Sequence, residues 1–240
     1  MRRIRQFGVA LLGFAVFVTS AQLARAEGTG LPRLPEQDHA EWTAIGRLNI
    51  AGFRTRRACT GTLIAPLWVL TAAHCVRRPD GTTEPPGNVH FVAGWLRGDV
   101  LWHGRAAAVH THPDAARGPS ADVALIKLQS PAPAEILAPI PLGTLPVGDD
   151  RANAIIGYQS TRSAMLSAAF DCPATRTLDQ MRVLDCPVTP GLSGSPVLSR
   201  TASGWRVTAV VSARIEQDGH AQAVVVAPGA WASGLVDGTP

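Results

Sequence analysis

Thr71-Ala72-Ala73-His74-Cys75 ends a short apolar run, Trp68 to Ala72, and delivers one histidine and one cysteine at its close. Two later stretches supply what a histidine needs to work as a base: Asp122 at the head of DVALIKL (122–128), and Ser193 within GLSGSP (191–196). A serine hydroxyl is a weak nucleophile at neutral pH, so it needs an imidazole to take its proton, and that imidazole needs a carboxylate to fix its tautomer. His74, Asp122 and Ser193 fit those three roles. The apolar residues after Asp122 would bury it at a sheet edge, where it can hold the Nδ1 proton of His74; Asp114, the nearest rival, sits in a proline-containing loop. Glycines on both sides of Ser193 allow a tight turn whose backbone N–H groups, those of Gly191 and Ser193, face a developing oxyanion. Ser195 stands after the next glycine and is not read as the nucleophile.

The 240 residues, 46% hydrophobic and 17% charged, suffice for a sizeable core, as one large all-β domain or two small lobes. At the N-terminus a basic Met1-Arg2-Arg3-Ile4-Arg5 precedes an apolar stretch from Phe7 to Val18 and then Ala24-Arg25-Ala26. Together these read as a cleaved secretory signal over 1–26, and the apolar stretch is too short to span a bilayer of roughly 30 Å. Arg2-Arg3 leaves the export route open between the general and the twin-arginine pathway. Removing residues 1–26 takes away four arginines and no acids, which leaves 18 basic and 18 acidic residues. A mature chain of zero formal charge gives no reason to expect nucleic acid or an anionic membrane as partner.

Four cysteines in an exported chain predict two disulfides among Cys59, Cys75, Cys172 and Cys186, with three pairings open. The local pairing, Cys59 with Cys75 and Cys172 with Cys186, closes two loops of similar size. A loop of about 15 residues is worth about 3 kcal/mol in the chain-entropy account. Zinc is the competing reading of four cysteines, and the lack of any CxxC pair speaks against it.

Residues 27–40, rich in glycine, proline and charge, are expected to form an extended N-terminal arm. Short apolar runs then alternate with turn-rich segments: Ala44 to Ala51, Gly61 to Ile64, Trp68 to Ala72, Val89 to Gly94, Ala106 to Thr111 and Val123 to Leu128. Many short strands with no long amphipathic helix predict an all-β sandwich or barrel. The six-proline stretch 129–150 reads as a crossing between two lobes, 41–135 and 136–240. A second set of strands follows at Ala154 to Tyr158, Gln180 to Leu184, Pro196 to Leu198, Val207 to Ser212 and Ala221 to Ala227. The tail after Pro228 has room for a turn of helix around Trp231.

TAAHC, DVALIKL and GLSGSP, in this order, resemble the three signature blocks of the trypsin/chymotrypsin-like serine proteases, and the resemblance spans roughly residues 42–228. His112-Pro113-Asp114 is similar to the family's loop into the aspartate strand, and Ile156-Gly157-Tyr158 to the strand that opens its second barrel. The resemblance implies two packed antiparallel β-barrels of the chymotrypsin-like kind with the active site in the cleft between them. His74 and Asp122 then belong to the first barrel and Ser193 to the second. It also implies the bridge Cys59–Cys75 beside the histidine. Ser212 matches the strand that pairs with substrate, followed by Ala213 and Arg214, so a peptide would bind by adding a strand. Two positions depart from the animal form GDSGGP. Leu192 replaces the aspartate that pairs with a freed N-terminal amine on activation, and Ser195 replaces a glycine; both bring the block closer to bacterial trypsin-like and glutamyl-endopeptidase-like members. Where trypsin-like enzymes carry a specificity aspartate, this chain has Pro187. Asp185, beside Cys186, reads as surface. No preference for arginine or lysine is expected, and Arg214 at the pocket mouth would favour an acidic or small neutral residue.

The implied function is an exported serine endopeptidase, secreted or periplasmic, monomeric, without cofactor or metal, acting on peptides or proteins. Two other readings compete. A catalytically inactive homologue would keep the fold as a peptide- or protein-binding module. An α/β-hydrolase esterase would need a GxSxG elbow, which Ser195 breaks, and the order Ser, Asp, His. His110 and His112 lie on one face of a strand as metal ligands sometimes do, but no third ligand accompanies them.

Overall fold

The computed structural model describes residues 30–50, 57–144, 153–217 and 219–238. The segment read as a signal, 1–26, and the first residues of the arm lie outside the described residues. Among the described residues there are thirteen strands and one α-helix, besides short 3-10 turns: β1 (Ile45–Ile50), β2 (Arg57–Ala65), β3 (Trp68–Thr71), β4 (Val89–Ala93), β5 (Trp102–Thr111), β6 (Ala124–Leu128), β7 (Asn153–Gly157), β8 (Ser167–Cys172), β9 (Ala174–Leu178), β10 (Met181–Leu184), β11 (Pro196–Thr201), β12 (Gly204–Gln217), β13 (His220–Val226) and α1 (Gly229–Asp237).

The first six strands close into an antiparallel barrel in the order β1-β2-β3-β6-β5-β4. Alternation fills it: Leu48, Leu63, Leu70, Phe91 and Leu125 are fully buried and belong to one apolar cluster. The other seven form an antiparallel sheet ordered β8-β7-β11-β12-β13-β10-β9. The expected pair of barrels is therefore present with one difference, that the second is a half-barrel whose end strands, β8 and β9, follow each other in the chain but are not paired with each other. Both faces of this sheet are covered. Ala154, Ile156, Leu198, Val210 and Val226 join the first barrel's cluster, while their neighbours Ile155, Val197, Ala209 and Val225 form a second cluster on the other face. Period-2 alternation thus splits nearly continuous apolar runs between two cores. The crossing segment touches both lobes, with Ile140 N donating to Leu63 O at 2.9 Å and Gly143 N to Val207 O at 2.9 Å.

Residues 31–40 do not form the simple extended arm expected of them. Leu31 and Leu34 are buried to 1% and 2% exposure. The chain lies along the edge of β8, where Pro32 O accepts the Ala168 amide at 2.9 Å and Leu34 N donates to Leu166 O at 3.1 Å. A 3-10 helix follows over Glu36–Trp42. Pro32 and Pro35, which mark a loop in the sequence, suit a segment capping a sheet edge, because proline leaves no N–H unpaired there. Two strands not foreseen from the sequence, β8 and β9, are the two ends of the half-barrel. The C-terminal helix α1 runs nine residues, longer than the single turn expected.

Candidate active site

β3 ends at Thr71, and the extended backbone of Ala72 (φ −80°, ψ 145°) leads into a 3-10 turn over Ala73–Val76. Ala72, Ala73, Cys75 and Val76 are each 0% exposed, whereas the His74 side chain keeps 45% of its surface. Burial of its neighbours therefore aims one polar ring outward from an apolar turn. A disulfide from Cys75 to Cys59 ties the turn to β2, and a second joins Cys172 to Cys186. The local pairing is the one found, and no cysteine is free.

Asp122 follows a short turn, Pro119–Ala121, at the entrance to β6. It is 7% exposed and grips His74 twice: Oδ1 accepts the His74 backbone N–H at 2.8 Å, and Oδ2 lies 2.7 Å from Nδ1. Ser212 Oγ donates to the same Oδ2 at 2.6 Å. Ser212 reaches it because it is the extra residue of a bulge: Val211 pairs with Val225 and Ala213 with Val224, and a bulge re-aims a side chain. Burial pushes the Asp122 carboxyl up, but the ring, charge and amide of His74 together with the Ser212 hydroxyl outweigh it and hold the group below its ordinary 3.8. An ionised carboxylate only accepts, so it fixes a ring proton on Nδ1, the nitrogen that faces it. Asp114, the rival acid, is instead paired with exposed Arg117 at 2.8 Å.

Ser193 lies in a turn between Gly191 (φ +96°) and Gly194 (φ +77°), both in the left-handed region that favours glycine. Thr60 N donates to Ser193 O at 2.9 Å and Gly194 N to Val211 O at 2.8 Å. A Cβ on Gly194 would stand 3.0 Å from Ala72 N and overlap Thr71 Oγ1 and Thr60 O. The turns carrying Ser193 and His74 are thus in backbone contact across the two lobes, and only glycine permits it. Among the described residues the amides of Gly191 and Ser193 donate to no group. Ser195 is 0% exposed, and its hydroxyl has no hydrogen-bond partner among the described residues.

Thr60 is a site residue that sequence reasoning missed. Fully buried, it joins both lobes: its amide holds Ser193 O, its hydroxyl donates to Gly191 O at 3.0 Å and accepts the Tyr158 amide at 3.0 Å, and its carbonyl accepts Thr71 Oγ1 at 2.8 Å. Its position beside Cys59 is the signal that was available.

Of the residues expected to meet substrate, Pro187 and Arg214 are exposed and Ala213 half-buried. Arg214 is ion-paired with Glu216. β11 flanks β12 only as far as Val210, so the strand from Ser212 onward has β13 on one side and lies beyond β11 on the other. His110 packs on Trp68 and His112 on Trp231. The one cluster of three possible ligands among the described residues, Cys59, His74 and Cys75, has both sulfurs in the disulfide, which removes the thiolates zinc needs.

The profile of the trypsin-like peptidase domain matches residues 59–210, more than half of the chain. The chain belongs to the trypsin-like peptidase domain family. Two solved structures share the fold of this trypsin-like domain. One is a Glu endopeptidase in complex with MPD, at 18% identity and a TM-score of 0.73, covering 89% of this chain and 98% of its own. The other is a thermostable serine protease from an extremophilic microorganism, at 17% identity and a TM-score of 0.67, covering 81% and 95%. By family and fold the trypsin-like domain is a serine endopeptidase. No helix among its described residues is long and apolar enough to cross a membrane.

Proposed function

We propose that the chain is exported and hydrolyses peptide bonds through an acyl-enzyme on Ser193. The observation that carries this is the double grip of buried Asp122 on His74, which holds the ring in one orientation for proton transfer. His74 Nε2 takes the Ser193 Oγ proton as Oγ bonds to the substrate carbonyl carbon, and the π electrons move onto oxygen. The Gly191 and Ser193 amides receive that oxyanion; losing one such donor typically costs about 10²–10³ in kcat. Collapse breaks the C–N bond, and His74 passes the proton to the leaving amine. Water then repeats the sequence on the ester and frees Ser193.

The substrate is a peptide or protein that lies extended against Ser212, Ala213 and Arg214, with Pro187 at the pocket wall. Arg214 supports preference for an acidic or small neutral residue before the cut bond, as does the likeness to a Glu endopeptidase, while Glu216 competes for the same charge. Export is supported by the pattern in 1–26 and by two disulfides, which belong to oxidising compartments. The test is to incubate the mature chain and Ser193→Ala with a diverse peptide pool and map cut sites by mass spectrometry. The reading expects cuts by the first protein only, and no strong preference for arginine or lysine. No cuts by either would instead favour a binding module.

A further inference from the structure

Thr60 and Val211 hold the Gly191–Ser193 turn from one side, and its other side leans on a segment with no part in the chemistry. Gln159, 2% exposed, stands between this turn and the N-terminal arm. Its Oε1 accepts the Thr189 hydroxyl at 3.1 Å, and its Nε2 donates to Leu31 O at 3.0 Å. Arg162 Nη1 donates to the same Leu31 O at 3.3 Å. Thr189 O in turn accepts the Leu192 amide at 3.2 Å, and Pro190 O accepts the Ser160 amide at 2.7 Å. Gly191 lies so close to this segment that a Cβ would stand 2.6 Å from Tyr158 O and 2.8 Å from Ser160 N. An apolar route runs beside the polar one, since the Leu31 side chain shares a buried cluster with Val188, Leu192 and Val211.

We propose that Leu31 and Gln159 are positioning residues for the oxyanion turn, so that the docked arm keeps the Gly191 and Ser193 amides directed at the substrate. The inference rests on the reading of Ser193 as nucleophile and of those two amides as oxyanion donors. A glycine at positive φ imposes little preference of its own on the adjoining peptide planes, so what packs on the turn selects their orientation. Leu192 carries no charge that could be anchored by an ion pair. Its place is set by the apolar cluster, and Leu31 supplies part of that cluster from outside the sheet. Gln159 locks the same two parts together through one amide group, using its oxygen for the turn and its nitrogen for the arm.

The experiment compares Gln159→Leu and Leu31→Ala with the parent in steady-state hydrolysis of a peptide the parent cuts, with the folded fraction taken from near-UV circular dichroism. A peptide boronate, whose tetrahedral adduct uses the oxyanion donors, is titrated beside the matching free peptide acid, which does not form that adduct. The expected result is a kcat per folded molecule about 10- to 100-fold lower, below the loss for deleting a donor outright, with KM within about threefold. Boronate affinity falls with kcat while the affinity for the peptide acid stays. Unchanged kcat per folded molecule in both variants overturns the inference, and so does an equal loss of affinity for boronate and acid. If Gln159→Leu fails to fold, Leu31→Ala decides by the same readings. A parent that neither turns over peptide nor forms the boronate adduct refutes the protease reading itself; an active parent with unimpaired variants refutes only the role of the arm.

Discussion

Asp122 is where burial and hydrogen bonding oppose each other, and the bonds win because three donors meet one carboxylate: the amide and ring of His74 and the hydroxyl of Ser212. Asp122→Asn puts an N–H donor opposite Nδ1, so the ring takes the other tautomer. We expect kcat to fall about 10⁴-fold with the fold retained, read by steady-state kinetics and circular dichroism. The same group gives a pH signature. Its folded pKa is depressed, so its contribution to stability is full above the ordinary carboxylate value and is lost as pH falls through the folded one. Urea melts should show the parent's advantage over Asp122→Asn holding down to about pH 5 and then shrinking as pH falls further, through the depressed folded value, and an advantage that grew on acidification would contradict this assignment. Ser195 supplies a third prediction. Its buried, unpartnered hydroxyl costs about 1–3 kcal/mol of desolvation, so Ser195→Ala should raise the melting temperature and keep activity. The three candidate residues could be singled out because each sits in a block that resembles a family signature, in the family's order. Thr60 and Gln159 could not, because a threonine in a strand and a glutamine after a tyrosine become special only through what folds against them.

Among the elements, the two disulfides divide the labour. Cys172–Cys186 ties the end of β8 to the segment after β10, so replacing both cysteines by serine should cost about 3 kcal/mol in urea unfolding and little kcat per folded molecule. Replacing Cys59 and Cys75 by alanine frees the turn of His74 as well, so there kcat should fall along with stability. The strands of the first barrel could be read from apolar runs bounded by turns, although β2 and β5 run longer than those runs, as does β12 in the second sheet. β9 escaped because all five of its residues are exposed, which leaves no alternation to see. β8 escaped because Ser167, Ala168 and Ala169 give a weak apolar signal in sequence. The expectation of an extended arm rests on prolines and glycines that are common to linkers and edge-capping segments; the burial of Leu31 and Leu34 separates the two.

At the scale of the molecule, the lobes meet so that a turn from one barrel touches a turn from the other. His74 and Asp122 come from the closed barrel and Ser193 from the half-barrel, and Gly194 lets the two backbones close up. A division of this kind is what the resemblance of the three blocks to the family's implies. Sequence pattern could not show that the second sheet stays open and is edged by the chain's own N-terminal residues, since such pairing depends on distant segments that share no local signature. The central claim is that Ser193 is the one serine activated by this convergence, and intact-mass and peptide mapping after treatment with a fluorophosphonate test it most directly. The account predicts a single adduct on Ser193 in the parent, slowed by orders of magnitude in His74→Ala and absent in Ser193→Ala. An unlabelled parent that is fully folded, or an adduct on any other residue, would contradict it.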